Sequence, residues 1–207
     1  MYIPSYYRNS SAEQALAFIR ANSFGIMVYK NGKGETEAVH SPFLVQEENG
    51  SPVLYTHIAR TPARIAEGEV LCIFSGAHGY VSPFLYSSEK NVPTWNYSAL
   101  HVYGQATELG PEHYPDFMTR LVEFYDPAWL ERWEKADKAY IEGLYRGIIL
   151  LRIPLQRFDF ANKWNQNKPE QDRLNVAAHF EAAGNTALAE DMRRSLSEGN
   201  ILDGKMG

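Results

Sequence analysis

The sequence predicts a mainly β protein, built as a small antiparallel barrel with helices at its periphery. About six short β-prone segments are joined by hairpin-like turns, which is typical of such barrels. A long helical stretch, 111–146, precedes the last strand, and further helices follow Pro169. Strands and helices do not alternate throughout, and the glycines fit neither a dinucleotide fingerprint nor a P-loop, so the pattern argues against a doubly wound sheet.

The N-terminal third of the chain predicts one helix and then a hairpin. Ser10 and Glu13 have capping-box spacing, so a helix is expected to begin there and to continue to about Asn22. Asn and Gly tolerate positive φ, and the run Asn31-Gly32-Lys33-Gly34 therefore predicts a turn between two strands. These strands are expected over 24–30 and 37–45.

The middle of the chain predicts three more strands and a long loop. A turn at Glu48-Asn49-Gly50-Ser51 leads into the first of them. The glycine and proline breaks after Gly76 predict that the chain up to Pro93 is mostly loop. The expected elements are a strand over 53–57, a short helix over 62–67, a buried strand over 70–75 and a long strand over 97–108.

The remainder of the chain predicts helices on both sides of one more strand. Asp126-Pro127 divides the helical stretch 111–146 into two parts. The almost unbroken apolar run after Gly147 predicts a final strand over 147–160, with Pro154 marking an edge or a bulge. Apolar stripes after Pro169 predict two C-terminal helices, separated at Gly184-Asn185.

Size and charge limit the classes of function. The 207 residues suit one compact domain, alone or with a helical appendage. The net charge of −5 gives no overall positive field, so binding of nucleic acid would need a local basic patch. Cys72 is the single cysteine, which excludes an intrachain disulfide. With no signal peptide or apolar span visible in the sequence, we expect a cytoplasmic protein that does not enter the membrane.

Three segments have the composition of a ligand site rather than of a core. Val92-Pro93-Thr94-Trp95-Asn96-Tyr97 groups aromatic, amide and hydroxyl side chains at the start of a strand. A pocket for a flat heteroaromatic ligand needs such stacking faces and polar partners. The segments 78–83 and 163–167 share this character. A core plug, a proline-closed turn and a capping linker, respectively, are the alternative interpretations of the three.

The stretch Tyr55 to Arg64 is the best candidate for an anion site. A strand ends there, hydroxyl and imidazole groups follow, and Arg60 and Arg64 come before or within a predicted helix. Guanidinium groups match phosphate geometry, and a helix start adds backbone donors. A polar loop with surface arginines is an equally good interpretation. No histidine pair has zinc-site spacing and no serine lies in a nucleophile elbow, so the catalytic residues stay unassigned.

Six stretches in register give the chain its resemblance to the PaiB-type family of FMN-binding negative transcriptional regulators. Any one of them is a weak signal, but together they span nearly the whole sequence. They are Met1-Tyr2-Ile3-Pro4, His40-Ser41-Pro42-Phe43-Leu44, His57-Ile58-Ala59-Arg60, His78-Gly79-Tyr80-Val81-Ser82-Pro83, Val92 to Tyr97 with His101-Val102-Tyr103-Gly104, and Gln166-Asn167 with Asp172-Arg173.

The resemblance implies an FMN-binding split β-barrel of six antiparallel strands, similar to pyridoxamine-phosphate-oxidase-like flavoproteins, which form homodimers with the flavin between subunits. It implies a barrel domain over 1–160, a helical insert over 111–146 and a C-terminal helical extension over 161–207 packed on the barrel. By analogy, Thr56, His57 and Arg60 are expected on the phosphate side of the flavin. The residues expected near the ring or the dimer seam are Ser82, Trp95, Asn96, Gln166 and Asn167.

Three functions are compatible with this resemblance. The first is an FMN-binding regulator or flavin-dependent sensor, for which DNA or a protein partner is implied by the family label alone. The second is an FMN-dependent oxidoreductase acting on a small substrate, with the flavin supplying the chemistry. The third is a haem-binding or haem-degrading split barrel with a histidine as axial ligand.

Overall fold

The computed structural model describes residues 1–60 and 68–203, with side chains up to residue 197. The predicted helix over 62–67 and the predicted anion ligand Arg64 lie outside the described residues. The chain divides into two compact units, which are treated separately below. The first comprises Met1–Ala12, Ser75–Leu100 and Asp159–Gly207, and the second comprises Glu13–Phe74 and His101–Phe158.

The described residues form nine strands, six α-helices and several short 3-10 turns. The strands are β1 Arg8–Asn9, β2 Phe24–Lys30, β3 Thr36–Glu48, β4 Ser51–Ala59, β5 Glu69–Val81, β6 Thr94–Gln105, β7 Thr107–Glu108, β8 Ile148–Pro154 and β9 Arg157–Lys163. The helices are α1 Ala12–Ala21, α2 Tyr114–Tyr125, α3 Leu130–Glu134, α4 Lys138–Tyr145, α5 Glu170–Ala182 and α6 Thr186–Asp203. The prediction of a mainly β, antiparallel fold with peripheral helices is confirmed.

In the second unit the hydrogen-bonded strand order is β5-β2-β3-β4-β8-β7. The hairpin of β2 and β3 forms as predicted, with Val28 opposite Ala38. Its turn is held by the buried Asn31, whose Oδ1 accepts hydrogen bonds from the backbone N–H groups of Lys33 and Glu35. A short polar side chain that bonds its own backbone in this way is typical of a tight turn.

The same unit carries the predicted helical stretch between β7 and β8. The division at Asp126-Pro127 is confirmed, because α2 ends at Tyr125 and a 3-10 turn begins at Pro127. Tyr114 and Phe117 of α2 are buried against Leu44 and Leu150 of the sheet. A helix of this length is only marginally stable in isolation, so burial of its apolar face is the main contribution to its stability.

In the first unit the strand order is β1-β9-β6-β5. The two predicted C-terminal helices form, and Gly184 between them has a φ of 80°, a left-handed conformation that favours glycine. Their apolar stripes pack on one face of the sheet and build a core. Its buried members are Val81, Tyr86, Val176, Ala177, Phe180, Leu188, Ala189 and Met192.

The structure corrects two element boundaries. The residues after Gly76 were predicted to be loop, but β5 continues to Val81. Gly79 explains the error: a Cβ there would lie 2.4 Å from the Phe180 ring, so the glycine permits close packing under α5 rather than breaking the strand. The predicted strand over 147–160 is two strands, β8 and β9. With the two-residue strands β1 and β7, the described chain has nine strands rather than six. The predicted domain boundary at residue 160 stays a prediction.

Candidate functional site

The sheet of the first unit has two unlike faces. Successive side chains of a strand point to opposite sides, and in β6 the alternation separates buried Asn96 and Ser98 from exposed Trp95. The buried side meets the C-terminal segment, where the Trp164 indole N–H donates to Ser98 Oγ over 3.1 Å. Met192 of α6 lies on this side as well. We call this the covered face.

The opposite face carries a cluster of exposed aromatic side chains. Trp95 is 53% exposed and Tyr80 is 48% exposed, and their ring centroids are 6.1 Å apart. His78, two residues before Tyr80 on β5, lies 6.2 Å from Trp95. Large apolar side chains grouped in this way on a surface mark an interaction site more often than isolated ones do. We call the surface formed by these three residues the open face.

Asn96 is fully buried on the covered face. Its Nδ2 donates to Met192 Sδ over 3.5 Å, a weak contact, while its Oδ1 has no hydrogen-bond partner among the described residues. An unsatisfied buried amide oxygen has a cost of about 1–3 kcal/mol. The alternation of β6 therefore separates Asn96 from its neighbour Trp95, although both were expected near the flavin ring or the dimer seam.

The side chain of Gln166 is used within its own turn. Its Oε1 accepts a hydrogen bond from the Trp164 backbone N–H at 2.7 Å, and its Nε2 donates to the Asn162 carbonyl at 2.5 Å. Asn165 in this turn has a φ of 62°, a conformation that asparagine tolerates better than most residues. Gln166 therefore shapes the path of the chain from β9 to α5.

Asn167 and Ser82 also take part in local hydrogen bonds. The Asn167 Oδ1 accepts a hydrogen bond from the Tyr7 hydroxyl at 2.9 Å. Burial, with smaller contributions from nearby tyrosines, raises the pKa of Tyr7 to about 12, so this hydroxyl keeps its proton. The Ser82 Oγ accepts from the Phe84 N–H at 3.4 Å and caps a 3-10 turn.

In the second unit, Thr56 and His57 point to opposite faces of β4. Thr56 is fully buried, and its Oγ1 lies within hydrogen-bond distance of Ser41 Oγ (2.8 Å) and of the Pro42 carbonyl (2.7 Å). The Thr56 hydroxyl thus joins β4 to β3 inside the unit.

His57 lies against the helical stretch. Its ring meets Phe117 edge-on at 5.8 Å, and its buried Nδ1 has no hydrogen-bond partner among the described residues. Burial lowers the pKa of His57, so the imidazole is neutral at pH 7. A neutral imidazole with an unused nitrogen can still accept or donate one hydrogen bond.

Arg60 lies just beyond the end of β4, with 47% of its side chain exposed. One Nη2 hydrogen bond goes to the Ile148 carbonyl at 3.0 Å, and a longer ion pair of 3.4 Å joins it to the exposed Glu108. Exposed pairs of this kind contribute little stability, so the guanidinium can exchange Glu108 for another anion at small cost.

A shallow groove of about 330 Å³ lies between α2 and the sheet of the second unit. Tyr55, Phe117 and Leu150 form part of its lining, and the rim is charged. Arg120 of this rim pairs with Asp116 at 3.0 Å, and Glu48 pairs with Arg152. The charged groups of the groove are thus largely engaged with protein partners.

The described residues contain neither a metal site built from His, Cys, Asp or Glu nor a reactive cysteine. No group of three or more His, Cys, Asp or Glu side chains within 1–60 and 68–203 is arranged to hold a metal ion. The Cys72 thiol is buried, and burial raises its pKa to about 12, so it is not a nucleophile at neutral pH. In the described part of the chain, no helix has the length and apolar character needed to cross a membrane.

Each unit separately offers groups of a kind that a phosphorylated planar ligand such as FMN requires. In the first unit, Trp95 and Tyr80 offer exposed ring faces. In the second unit, Arg60 offers a half-exposed guanidinium, which is suited to a phosphate. The sequence singled out the segments 78–83 and 163–167 as ligand-site segments, but it did not identify Tyr80, His78 or Lys163 within them as site residues. The spacing His78-x-Tyr80 would have shown that both side chains share one face, had this stretch been recognised as strand.

Comparison with known proteins agrees with this assignment. Residues 1–157 match a family model described as "Putative FMN-binding domain". The protease synthase and sporulation protein PAI 2 of Bacillus subtilis is 34% identical over 185 residues, which cover 85% of this chain and 87% of the relative.

Two solved structures share the fold at low sequence identity. An FAD- and haem-binding protein from Mycobacterium smegmatis has a TM-score of 0.57 at 12% identity; the match covers 83% of this chain and 80% of that protein's chain. A flavocytochrome from Azotobacter vinelandii has a TM-score of 0.57 at 13% identity; the match covers 83% of this chain and 77% of that protein's chain. Such identities show the fold alone, which is the predicted split-barrel class. By its sequence, the chain belongs to the PaiB-type family of FMN-binding proteins, and FMN is the cofactor that this membership assigns to it.

Proposed function

We propose that this protein is a homodimeric flavin-dependent sensor that acts as a negative transcriptional regulator, with FMN as its sensing group. The observation that carries the proposal is the open face, where Trp95 and Tyr80 are about half exposed and His78 is exposed. Flat aromatic ligands bind against such rings with favourable stacking geometry.

The site residues divide into those that contact the cofactor and those that position them. On the first unit, Trp95 would stack on or flank the isoalloxazine ring. On the second unit, the half-exposed Arg60 would contact a phosphate, and His57, whose Nδ1 is buried, would position the end of β4. The other predicted residues form hydrogen bonds within the protein and would act by fixing the local backbone; they are Thr56, Ser82, Asn96, Gln166 and Asn167. When bound, FMN supplies hydride or electron transfer.

The open face also supports the homodimer. A surface that groups Trp95 and Tyr80 at about half exposure is unfavourable in water, and a second copy of the chain would cover it together with the flavin. Tyr and Trp are the residue types that interfaces prefer, because their rings bury large areas at low entropic cost.

The regulatory assignment rests on the relative from Bacillus subtilis, whose name refers to protease synthesis and sporulation. The net charge of −5 disfavours binding of DNA through the overall field of the protein. Regulation through a protein partner, or through a local basic patch, agrees better with this charge.

The absorption spectrum and the mass of the purified protein test the proposal. We expect a yellow protein with the bands of oxidised flavin, eluting as a dimer. A Soret band would favour the haem-binding alternative, for which His78 is an exposed candidate ligand. Steady turnover of a nicotinamide by the bound flavin would favour the oxidoreductase. A colourless monomer that takes up no added FMN would refute the proposal.

A further inference from the structure

Lys163 lies on the same side of the sheet as Trp95. It is the last residue of β9, and Ala161, two residues earlier on the same side of the strand, packs with Tyr97 and Tyr7. Tyr97 in turn shares its side of β6 with Trp95. The ammonium group of Lys163 therefore lies at the edge of the open face.

The contacts of this lysine leave its charge uncompensated. Its Nζ donates over 2.5 Å to Oγ1 of Thr94, the first residue of β6. The Tyr7 ring centroid is 6.0 Å away, at the limit of a useful cation–π distance. No carboxylate of a described residue forms an ion pair with it, and burial lowers the pKa of Lys163 without an opposing contribution from an acidic group.

Two arginines of this unit have carboxylate partners that compensate their charge. Arg193 pairs with Glu181, and Arg8 lies 3.7 Å from Asp159. Lys168, like Lys163, has neutral partners: it donates to Asn91 Oδ1 and lies 5.0 Å over the Tyr86 ring. A partly buried ammonium that has only neutral partners is costly to keep, and an anion supplied by a ligand would offset that cost.

We infer that Lys163 is an anion-binding residue of the open face, whose ammonium group binds an anionic oxygen of the ligand lying against Trp95. The inference rests on the proposed function, because it assigns a further residue to the same site. Two sources of such an oxygen exist in FMN, the phosphate and the pyrimidine edge of the reduced ring. The ligand class is thus an anionic flavin rather than a neutral aromatic compound.

Titration of the full chain with FMN and with riboflavin tests the inference. Lys163→Met keeps the length of the side chain and removes the charge, and Lys168→Met is the matched control five residues away. We expect Lys163→Met to weaken binding of FMN by about tenfold or more, the scale of a hydrogen bond to a charged group. The control should change the affinity by less than about twofold, as is usual for a surface substitution.

Riboflavin identifies the oxygen, since it lacks the phosphate. Loss of affinity for oxidised FMN alone indicates the phosphate, and a loss for both flavins that appears only after they are reduced indicates the ring; either result supports the inference. An equal loss for both oxidised flavins would indicate a neutral contact and would count against an anion site. Equal affinities of wild type and Lys163→Met for both flavins would overturn it.

A separate readout is needed if the wild-type protein binds neither flavin, an outcome that refutes the proposed function. In that case, acylation of lysines by limiting acetic anhydride is followed by mass spectrometry with and without inorganic phosphate. Protection of Lys163 beyond that of Lys168 would keep the anion site, and equal protection of the two would overturn it.

Discussion

Replacement of Arg60 by alanine is the most direct test of the phosphate side of the site. Its guanidinium donates to the Ile148 carbonyl at 3.0 Å and lies 3.4 Å from a Glu108 oxygen. Both side chains of this ion pair are about half exposed. The fold therefore depends little on Arg60, and its substitution should change the free energy of unfolding by no more than about 0.5 kcal/mol.

The expected loss in binding follows from the difference between two interactions. A hydrogen bond to a charged phosphate oxygen contributes about 1.5–3 kcal/mol. Release of the exposed pair with Glu108 offsets about 0.5 kcal/mol of this. The remaining roughly 1–2.5 kcal/mol corresponds to a five- to seventyfold increase in the Kd for FMN.

Quenching of FMN fluorescence measures this Kd. Arg120→Ala is the control, because Arg120 is 48% exposed and also pairs with a carboxylate, yet it lies on the groove of α2. Its substitution should leave the affinity unchanged. If Arg60→Ala binds FMN as tightly as the control does, Arg60 does not contact the phosphate and the strand end of β4 is not the phosphate site.

Three further predictions concern the open face, the packing under α5 and the buried imidazole. Trp95→Ala should weaken binding of FMN by about 0.5–1.5 kcal/mol, the contribution of an aromatic pair. Trp129→Ala, at a residue of similar exposure, should leave the affinity for FMN unchanged. Equal effects of the two substitutions in the titration would show that Trp95 is not part of the site. Gly79→Ala should lower the free energy of unfolding by about 1–3 kcal/mol, because the new methyl group would meet the Phe180 ring of α5. Gly143→Ala is the control: it lies in the middle of α4 with room for a Cβ and should raise the free energy of unfolding by about 0.5–1 kcal/mol. Unchanged urea midpoints for both would contradict this account of the packing. The pKa of His57 is lowered in the folded state, so below about pH 6.5 the unfolded chain binds a proton that the folded chain does not. The free energy of unfolding should therefore fall on acidification. His57→Phe should flatten the dependence of this free energy on pH between about pH 7.5 and 5.5.

Local signals in the sequence were sufficient for most of the elements. The Asn31 turn was predictable because asparagine and glycine at fixed positions specify a hairpin through their own backbone preferences. The extent of β5 was not predictable, because a sequence does not distinguish a glycine in a strand from a glycine in a loop. What keeps Gly79 in the strand is Phe180, which lies about one hundred residues further along the chain.

The site was harder to predict, since its composition was visible but the direction of its side chains was not. Trp95 and Asn96 are adjacent in the sequence, yet the pleat exposes the first and buries the second. The amide of Gln166 looked available for a heterocycle until the structure showed it bonded within its own turn. A one-residue difference in register decides such cases, and the sequence around 94–97 contains no signal that fixes it.

The covered face has a consequence for attempts to shorten this protein. The family match ends at residue 157, and a recombinant fragment designed on that limit would lack β9, α5 and α6. The edge of β6 that pairs with β9 would then be exposed, while the other edge would keep β5. Val81 and Tyr86 would lose the helices that shield them from water. Such a fragment should precipitate rather than bind a nucleotide, so expression of the trimmed chain would be misleading about the cofactor.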